Sequence, residues 1–243
     1  MVKFFKRTAL VLGAVMLMAL PMNSASALTE GYKGFSFGFI GSDADFTTKG
    51  KEYTPGHGVT SVTDDINTTS VTRAVKIPSM FFEYSYGQGF GGITFGIEHI
   101  PGEHSLGSKA RYDTTACCDG SSGIDTGTRT AKATVDGITT FYVEPALMIN
   151  DYIGAYVTGG LTFTELKTIE TTKTATYGDK DIFGGRVGVG VKLVSPWGLF
   201  VKFEQTESHF PTLDFKSTAS GSTNSVKAKV RQESTRLALG FNF

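Results

Sequence analysis

The sequence predicts an all-β fold: a closed antiparallel up-and-down transmembrane β-barrel of eight strands, with short periplasmic turns and long extracellular loops. Three observations predict it. Apolar residues recur with a period of two along eight segments, the links between these segments alternate between short and long, and aromatic residues gather beside the short links. The 243 residues include 30 Gly, 19 Phe and 9 Tyr, a composition that favours sheet over helix.

The N-terminal segment indicates export. A basic start precedes a short apolar run over residues 8–22, and the segment ends in Ala25-Ser26-Ala27. These are the three parts of a secretory signal peptide, and the run of about 15 residues is shorter than the ~20 that a spanning helix needs. We therefore predict a cleaved signal peptide over residues 1–27 and one β-barrel domain over residues 28–243.

Charge and hydropathy exclude two other classes of protein. Without Lys3, Lys6 and Arg7, the mature chain has 20 basic and 23 acidic residues. A nucleic-acid-binding protein needs a basic face to neutralise phosphates, so we expect no nucleic-acid partner. Beyond residue 27 no stretch approaches 18 apolar residues, which excludes a helical membrane protein.

The first four predicted strands each have one apolar face. Residues 34–40 set Phe35, Phe37 and Phe39 against Gly and Ser. Residues 80–86, 92–100 and 141–149 divide in the same way, with these residues on the apolar side: Met80, Phe82, Tyr84, Tyr86, Ile93, Phe95, Ile97, Phe141, Val143, Leu147 and Ile149. The opposite faces carry small, polar or acidic residues.

The last four predicted strands repeat the pattern over residues 152–164, 182–194, 198–205 and 236–243. Their apolar faces consist of Ile153, Ala155, Val157, Leu161, Phe163, Phe183, Val187, Val189, Val191, Leu193, Leu199, Val201, Phe203, Leu237, Leu239, Phe241 and Phe243. Tyr156 departs from this division, because it lies on the face of small residues. Such alternation fits either a soluble sandwich or a membrane barrel.

The lengths of the links between strands distinguish a membrane barrel from a soluble sandwich. Tight turns are predicted at residues 87–91, 150–151 and 195–198, and longer links over residues 41–74, 101–132, 168–180 and 208–226. Short turns at one end and long loops at the other are the layout of an outer-membrane barrel.

Aromatic residues near the short links add to this reading, since amphipathic rings favour a membrane boundary. They are Tyr32, Phe35, Tyr86, Phe90, Tyr152, Trp197 and Phe243. Pro78, which follows the predicted link 41–74, and Pro145 fall inside predicted strands, where a closed ladder has no spare N–H position. We expect a bulge or a shifted strand limit at each.

The final segment resembles that of small bacterial outer-membrane barrels. It ends in Phe243, with Leu237, Leu239 and Phe241 at intervals of two before it, like the assembly signal of that superfamily. The closest in pattern are the OmpA transmembrane domain, OmpX and the opacity-type surface antigens. The resemblance implies residence in the cell outer membrane, contact with its lipid and lipopolysaccharide, and the barrel-assembly machinery as a partner during biogenesis.

The inward faces of the predicted barrel carry four acids and four bases. Charges inside a narrow barrel must be paired, because desolvation costs several kcal/mol for each ion. We interpret them as a structural ion-pair plug; a polar pathway or gate and a catalytic carboxylate pair are the alternatives. The residues are Glu83, Glu98, Glu144, Glu204, Arg186, Lys192, Lys202 and Arg236.

Two loop motifs contain residue types that form disulfides, metal sites or catalytic sites in proteins. Cys117-Cys118 can form a local disulfide, pair between chains or bind metal with His99 or His104. No ligand spacing resembles a zinc motif, so a loop disulfide is preferred and no metal or cofactor is predicted. Glu103-His104-Ser105 resembles part of a hydrolase site, but neighbours in a loop rarely reach the geometry that a nucleophile and base require.

The sequence therefore predicts a non-enzymatic outer-membrane barrel with a structural or surface-interaction role through its loops, whose partner the sequence does not identify. Three alternatives stay open: a channel or hydrophobic-ligand conduit of the OmpW kind, a lipid A-modifying barrel enzyme, and a soluble barrel of lipocalin shape.

Overall fold

A computed structural model describes residues 33–54, 65–113, 127–150, 152–170, 177–218 and 225–243. The signal segment and Cys117-Cys118 lie outside these ranges. The strands are β1 Gly34–Thr54, β2 Asp65–Gln88, β3 Gly91–Asp113, β4 Gly127–Met148, β5 Ile153–Glu170, β6 Lys180–Val194, β7 Leu199–His209, β8 Leu213–Lys216 and β9 Ser225–Asn242. No helix in these ranges is long and apolar enough to cross a membrane.

The strands form a closed antiparallel barrel. From β1 to β7, each strand pairs with the next strand in the sequence. β7 then pairs with β9, and β9 closes the ring by pairing with β1. The short β8 pairs with β9 beyond the end of β7, from Leu213–Ala228 to Lys216–Ser225, so β7 and β8 occupy one barrel position interrupted around Pro211. The barrel thus has eight strand positions, which confirms the predicted fold class.

The barrel has a turn end and a loop end. Short turns join β2 to β3, β4 to β5 and β6 to β7, and the first and last strands meet beside them, where Phe243 N donates to Phe35 O at 2.9 Å. In the turn between β4 and β5, Asn150 Oδ1 accepts hydrogen bonds from the backbone N–H groups of Tyr152 and Ile153 at 2.9 and 2.8 Å. The opposite end carries the longer connections.

An apolar belt surrounds the turn-end half of the barrel. Its large outward side chains are exposed, as lipid-facing residues of a membrane barrel are. They include Phe35, Phe37, Phe39, Met80, Phe82, Tyr84, Phe95, Ile97, Phe141, Leu147, Val157, Leu161, Phe163, Phe183, Val187, Leu193, Leu199, Phe203, Leu237, Leu239 and Phe241.

The strands are longer than the sequence predicts. β1 and β2 contain 21 and 24 residues, whereas a strand needs about 9–11 residues to span a bilayer. Much of the predicted links 41–74 and 101–132 is therefore strand, and the link 208–226 contains β8. We call the barrel beyond the belt the loop-end extension; it comprises residues 43–54, 65–76, 101–113, 127–138, 165–170, 213–216 and 225–233.

Both prolines lie within strands, and neither has the bulge that was one of the two expectations. Pro78 faces Gly41 of β1, while β2 pairs with β3 only from Met80–His99 to Gln88–Gly91, so its missing N–H costs no bond on that side. Pro145 faces Ile93 of β3, and the β4–β5 register is unchanged across it. The ladder has register shifts instead at Ile100/Glu103, Ser105/Gly107 and Asp136/Thr139.

Gly107 allows β3 to approach β2 closely in the extension, where these two strands do not pair. Its φ is +125°, and a Cβ there would lie 2.7 Å from Val71 Cγ1. A larger residue would be strained and would also push Val71 away.

The interior changes along the barrel axis. Near the turn end lies a first apolar cluster that includes Phe81, Met148, Tyr156, Val194 and Phe200. Charged and polar residues occupy the middle. A second apolar cluster, which we call the loop-end cluster, consists of Ala44, Phe46, Ile77, Ile100, Leu106, Val135, Ile138, Leu166, Tyr177, Ile182, Phe210, Leu213, Phe215 and Val230.

Candidate functional site: the charge network of the lumen

All eight charged residues singled out in the sequence point into the barrel and are buried. They come from six of the strands, because each strand presents alternate residues to the lumen. We refer to them as the charge network: Glu83 on β2, Glu98 on β3, Glu144 on β4, Arg186 and Lys192 on β6, Lys202 and Glu204 on β7, and Arg236 on β9.

One half of the network is built on two arginines. Arg186 forms an ion pair with Glu98, and Arg236 Nη2 lies 2.6 Å from the other oxygen of the same carboxylate. Arg236 Nη1 also reaches Glu204 Oε2 at 3.0 Å. Ser79 Oγ donates to Glu98 Oε1 at 2.6 Å, so both oxygens of Glu98 have partners. The buried carboxylate is thereby stabilised by two cations and a hydroxyl.

The other half is centred on Lys202. Its ammonium forms an ion pair with Glu83 and lies 2.6 Å from Glu144 Oε2. Tyr142 Oη donates to Glu83 Oε1 at 2.6 Å. Lys202 therefore bridges a carboxylate of β2 and a carboxylate of β4. These two ion pairs connect β7 to both strands across the lumen.

Thr158 joins the two halves. Its hydroxyl lies 2.5 Å from Glu204 Oε1 and 3.5 Å from Glu144 Oε1. The half around Arg236 and the half around Lys202 therefore meet at Thr158, whose single proton bonds to one of the two carboxylates at a time. The contact matters because a partly satisfied buried network is costly, and Glu83 Oε2 accepts no hydrogen bond from the described residues.

Lys192 of β6 is the register partner of Lys202 and lies against an aromatic ring. Its ammonium is 4.0 Å from the centre of the Phe200 ring, a distance suited to a cation–π interaction. Phe200 is itself fully buried beside Phe81, at 6.0 Å between ring centres. A desolvated cation against an aromatic face is stabilised by the ring quadrupole.

Glycines opposite tyrosines make room for the network. Tyr142 is paired with Gly96 on one side and Gly160 on the other, and Tyr156 is paired with Gly190. A Cβ at Gly96 would lie 2.3 Å from Tyr142 Cζ, and one at Gly190 would lie 2.5 Å from Tyr156 Cζ. The tyrosine rings thus lie across the inner wall and fill the space beside the charges.

Sequence reasoning missed the polar side chains that complete the network: Ser79, Tyr142, Thr158 and Ser208, which accepts from Arg186 Nε at 3.3 Å. The sequence did contain a sign of the role of Tyr142. A large aromatic residue on a strand face of small and charged residues indicates a side chain that fills the barrel interior. Ser and Thr carry no such signal, since they are common on any inward strand face.

The other candidate residues lie elsewhere. His104 Nε2 lies 3.2 Å from Pro101 O, and Ser105 Oγ accepts from Gly107 N at 3.3 Å, so these two side chains have separate partners. His99 Nδ1 contacts Thr139 Oγ1 at 3.0 Å. Within the described ranges, no three His, Cys, Asp or Glu side chains are grouped to hold a metal ion.

The four residues of the terminal motif lie on the outer surface. Leu237, Leu239 and Phe241 belong to the apolar belt, and Phe243 is exposed at the turn end. Their role as an assembly signal stays a prediction.

Comparisons with known proteins give a structural likeness only. No protein-family model matches the sequence, and no curated protein matches it. Among solved structures, Ail of Yersinia pestis in complex with the heparin analogue sucrose octasulfate is 9% identical, with 81% of this chain and 98% of that chain covered and a TM-score of 0.35.

Two further structures are similar over most of the chain. OprG from Pseudomonas aeruginosa is 12% identical, with 88% of this chain and 99% of that chain covered and a TM-score of 0.49. The outer membrane protease OmpT from Escherichia coli is 8% identical, with 91% and 99% covered and a TM-score of 0.43. The chain is thus similar to outer-membrane β-barrels without assignment to one family.

Proposed function

We propose that this protein is an integral outer-membrane barrel that does not conduct and that acts at the cell surface through its loop-end extension and loops. The observation that carries the proposal is the charge network, which fills the lumen at mid-height. In this proposal the network is a structural plug, and the loop end faces the cell exterior.

The packing inside the network supports a plug rather than a pathway. The void bounded by Phe81, Glu83, Tyr142, Lys202 and Arg236 measures about 10 Å³, close to the minimum for a single water molecule. A conducting lumen needs a continuous column of water, and an eight-stranded barrel is narrow enough for side chains to fill. Four carboxylates and four bases also leave no formal excess charge to attract a permeant ion.

The exposed surfaces support the location. The apolar belt is suited to lipid, and the N-terminal segment has the pattern of an export signal. Lipid and lipopolysaccharide are the surroundings that this proposal assigns to the belt and the surface just above it. The barrel-assembly machinery is the proposed partner during insertion, through the terminal motif that ends in Phe243.

The extension supports a role at the surface. Strands that continue far beyond the belt carry the loops away from the bilayer, where they can meet molecules outside the cell. Loops positioned by a rigid scaffold are where binding residues concentrate in other folds.

Planar-bilayer recordings of the purified full-length mature protein test the plug. Gel mobility before and after boiling confirms that the inserted protein is folded. We expect no steady conductance above the lipid baseline. Large and stable open-channel currents from the folded protein would contradict the plug and favour the conduit. Altered lipid A in an expressing strain would instead favour an enzyme.

A further inference from the structure

The loop-end extension encloses a cavity of about 500 Å³, within the size range of small-molecule binding sites. We call this space the loop-end chamber. Its apolar side chains come from most of the strands and include Val71, Leu106, Leu166, Phe215 and Val230. The chamber is therefore a space inside the barrel and not a groove on its outer surface.

Small residues leave this space open. Gly50 faces Ala228 in the β1–β9 register, and Gly107 faces Ala133 in the β3–β4 register. The lumen nearer the turn end is instead filled by Tyr, Phe, Arg and Lys side chains. An eight-stranded barrel either fills its interior with side chains or leaves room for one small ligand, and this barrel does both at different heights.

The chamber has an apolar floor toward the turn end. Along β1, Phe46 lies between the lining residue Thr48 and Ser42, which is the register partner of Arg236. Phe46 belongs to the buried loop-end cluster, together with Ile77 of β2. Packed apolar side chains therefore separate a ligand in the chamber from the charge network.

The inner wall favours an uncharged ligand. Alternation along β1 and β4 places Lys51 and Lys132 on the outer face of the barrel. Among the described residues that line the chamber, the charged side chains of the inner face are Lys109 and Glu52, one base and one acid. They leave no net charge to attract an ion, and an ion would lose its hydration against a mainly apolar wall.

The wall of the chamber is interrupted between β2 and β3. These two strands pair from their hairpin turn to Met80–His99 and no further, and we call the unpaired boundary between residues 65–79 and residues 100–113 the seam. In a two-residue hairpin the residues that flank the turn form a hydrogen-bonded pair, and such pairs recur at every second residue. By this count Pro78 and Pro101 would form the next such pair, and neither has the N–H that it requires. The two prolines therefore end the ladder.

Further features of β3 maintain the seam. The β3–β4 register shifts twice within residues 100–107, and Gly102 has a φ of +84°. Bulges of this kind bend a strand and are frequent beside functional sites. A Cβ at Gly107 would lie 3.6 Å from Val71 Cβ across the seam. Packing at Val71 therefore closes the wall there, in place of a ladder of paired residues.

We propose that the loop-end chamber binds one uncharged apolar molecule and that the seam is its entrance. Residues on both sides of the seam line the chamber, among them Thr69 and Val71 of β2 and Leu106 and Ala110 of β3. A barrel normally abolishes its strand edges by closing completely, so an interrupted ladder beside a cavity indicates a place where the wall can part. The inference goes beyond the proposed function, because the plug and the chamber lie at different heights and either can fail without the other.

The binding test uses the full mature protein in lipid nanodiscs, with (trifluoromethyl)cyclohexane as the probe and fluorine NMR as the measurement. Empty nanodiscs give the resonance of the probe dissolved in lipid. The same ring with a carboxylate or with an aminomethyl group at its fourth carbon supplies an anion and a cation of similar shape.

Two variants fill the chamber. Ala133→Phe and Ala228→Phe each place a ring in it, and Ala74→Phe on the outward face of β2 is the matched control. Heat-modifiable gel mobility shows whether each variant is folded. We expect a saturable protein-bound resonance in the unmodified protein and in Ala74→Phe, and none in the filled variants. Both ions should bind at least tenfold more weakly than the neutral probe.

Two results would overturn the site or its ligand class. A lipid resonance alone in the unmodified protein, or an undiminished bound resonance in a folded filled variant, would show that the chamber does not bind the probe. An ion that bound as tightly as the neutral probe would contradict the assignment of an uncharged ligand.

A disulfide across the seam tests the entrance. In a Cys117→Ser/Cys118→Ser background, Val71→Cys/Gly107→Cys brings two Cβ atoms to about 3.6 Å, within the range of disulfides. Oxidation of this pair should slow exchange of the probe between its free and bound resonances at least tenfold, and reduction should restore the rate.

A second pair and a second variant complete the test. Thr47→Cys/Thr72→Cys is the matched control, because it links β1 and β2 where their ladder is intact, and its oxidation should leave the exchange rate unchanged. Val71→Ala needs no disulfide; it removes packing at the seam and should speed exchange. An exchange rate that changed neither on oxidation of the seam pair nor in Val71→Ala would overturn the entrance.

Discussion

The two halves of β9 show how one strand meets two different environments. Even-numbered residues point inward along the whole strand, but their chemistry changes, from Val226 and Val230 near the loop end to Ser234 and Arg236 in the middle. The odd-numbered residues change in the opposite sense, from Lys227 and Lys229 to Leu237, Leu239 and Phe241. The strand keeps its register while the polarity of its two faces is exchanged.

The neighbouring strand β1 changes at the same level. Phe37 and Phe39 face outward, and Asp43 and Asp45 follow them on the same side. Phe46 is buried on the opposite face, in the loop-end cluster. The exchange therefore follows the height along the barrel and not the individual strand, as expected if lipid surrounds one half and water the other.

The extension and the belt region are also stabilised by different interactions. In the extension, burial of the loop-end cluster removes apolar surface from water, the ordinary driving force of folding. In the belt region, apolar residues outside face lipid, and the interior depends on ion pairs whose desolvation is offset only by close geometry. Mutations of the same chemical kind should therefore have different effects in the two regions.

The largest effect is expected from removal of Arg236. Arg236→Ala leaves Glu98 and Glu204 with fewer cations in a buried site, and we expect a loss of about 3–5 kcal/mol in the free energy of unfolding. Urea titration in lipid vesicles measures it. The control is Lys229→Ala, an outward lysine of the extension on the same strand, which should change stability little. Equal effects of the two variants would remove the distinction between the network and the surface.

A charge placed on the outer face should separate the belt from the extension. Leu239→Arg puts a guanidinium against lipid, and we expect a destabilisation of about 2–4 kcal/mol. Ala74→Arg puts the same group on the outward face of β2 next to Asp45 of β1, where water solvates it, and should be close to neutral. Folding yields and unfolding titrations in vesicles compare the two. A near-zero effect of Leu239→Arg would indicate a soluble barrel.

The smallest effect is expected at a surface ion pair of the extension. Lys167 Nζ lies 2.7 Å from Asp136 Oδ2, and this hydrogen bond holds the pKa of the Asp136 carboxyl below its usual range. The contribution is therefore present above the unfolded carboxyl pKa of about 3.9 and is lost as the pH falls through the lowered folded value. Asp136→Asn should reduce stability slightly at pH 7.

The same comparison at acid pH checks the sign. The difference between Asp136→Asn and the unmodified protein should shrink as the carboxyl protonates, and it should also shrink at high salt, because the pair lies at the surface. A difference that grew toward low pH would contradict the assigned direction of the pKa shift.

The sequence predicts the belt region well and the extension poorly, for a physical reason. Where Phe35, Phe37 and Phe39 alternate with Gly and Ser, a period of two stands out. Where Ala44 and Phe46 alternate with Asp43 and Asp45, the strand has polar neighbours throughout and resembles a loop in composition. The sequence therefore predicts long links there, although β1 and β2 continue their pairing without a register shift.

The interior shows the same limit. The strand pattern places Glu98 and Arg236 on inward faces, but it contains no information on which acid contacts which base, because that depends on strand stagger around the closed barrel. The sequence also does not predict the cavity of about 500 Å³ in the loop-end extension, because small residues of several strands line it, such as Ala133 on β4 and Ala228 on β9.

The central claim, that the polarity of the two faces is exchanged between the belt and the extension while β9 keeps its register, can be measured directly along that strand. Single cysteines are placed at residues 226–241 in a Cys117→Ser/Cys118→Ser background, spin-labelled in vesicles, and tested for relaxation by oxygen, which concentrates in lipid, and by a water-soluble nickel chelate. We expect labels at Leu237, Leu239 and Phe241 to respond to oxygen, labels at Lys227 and Lys229 to respond to nickel, and even positions to be shielded from both. Oxygen-dominated relaxation at Lys227 and Lys229, or accessible even positions, would contradict the account.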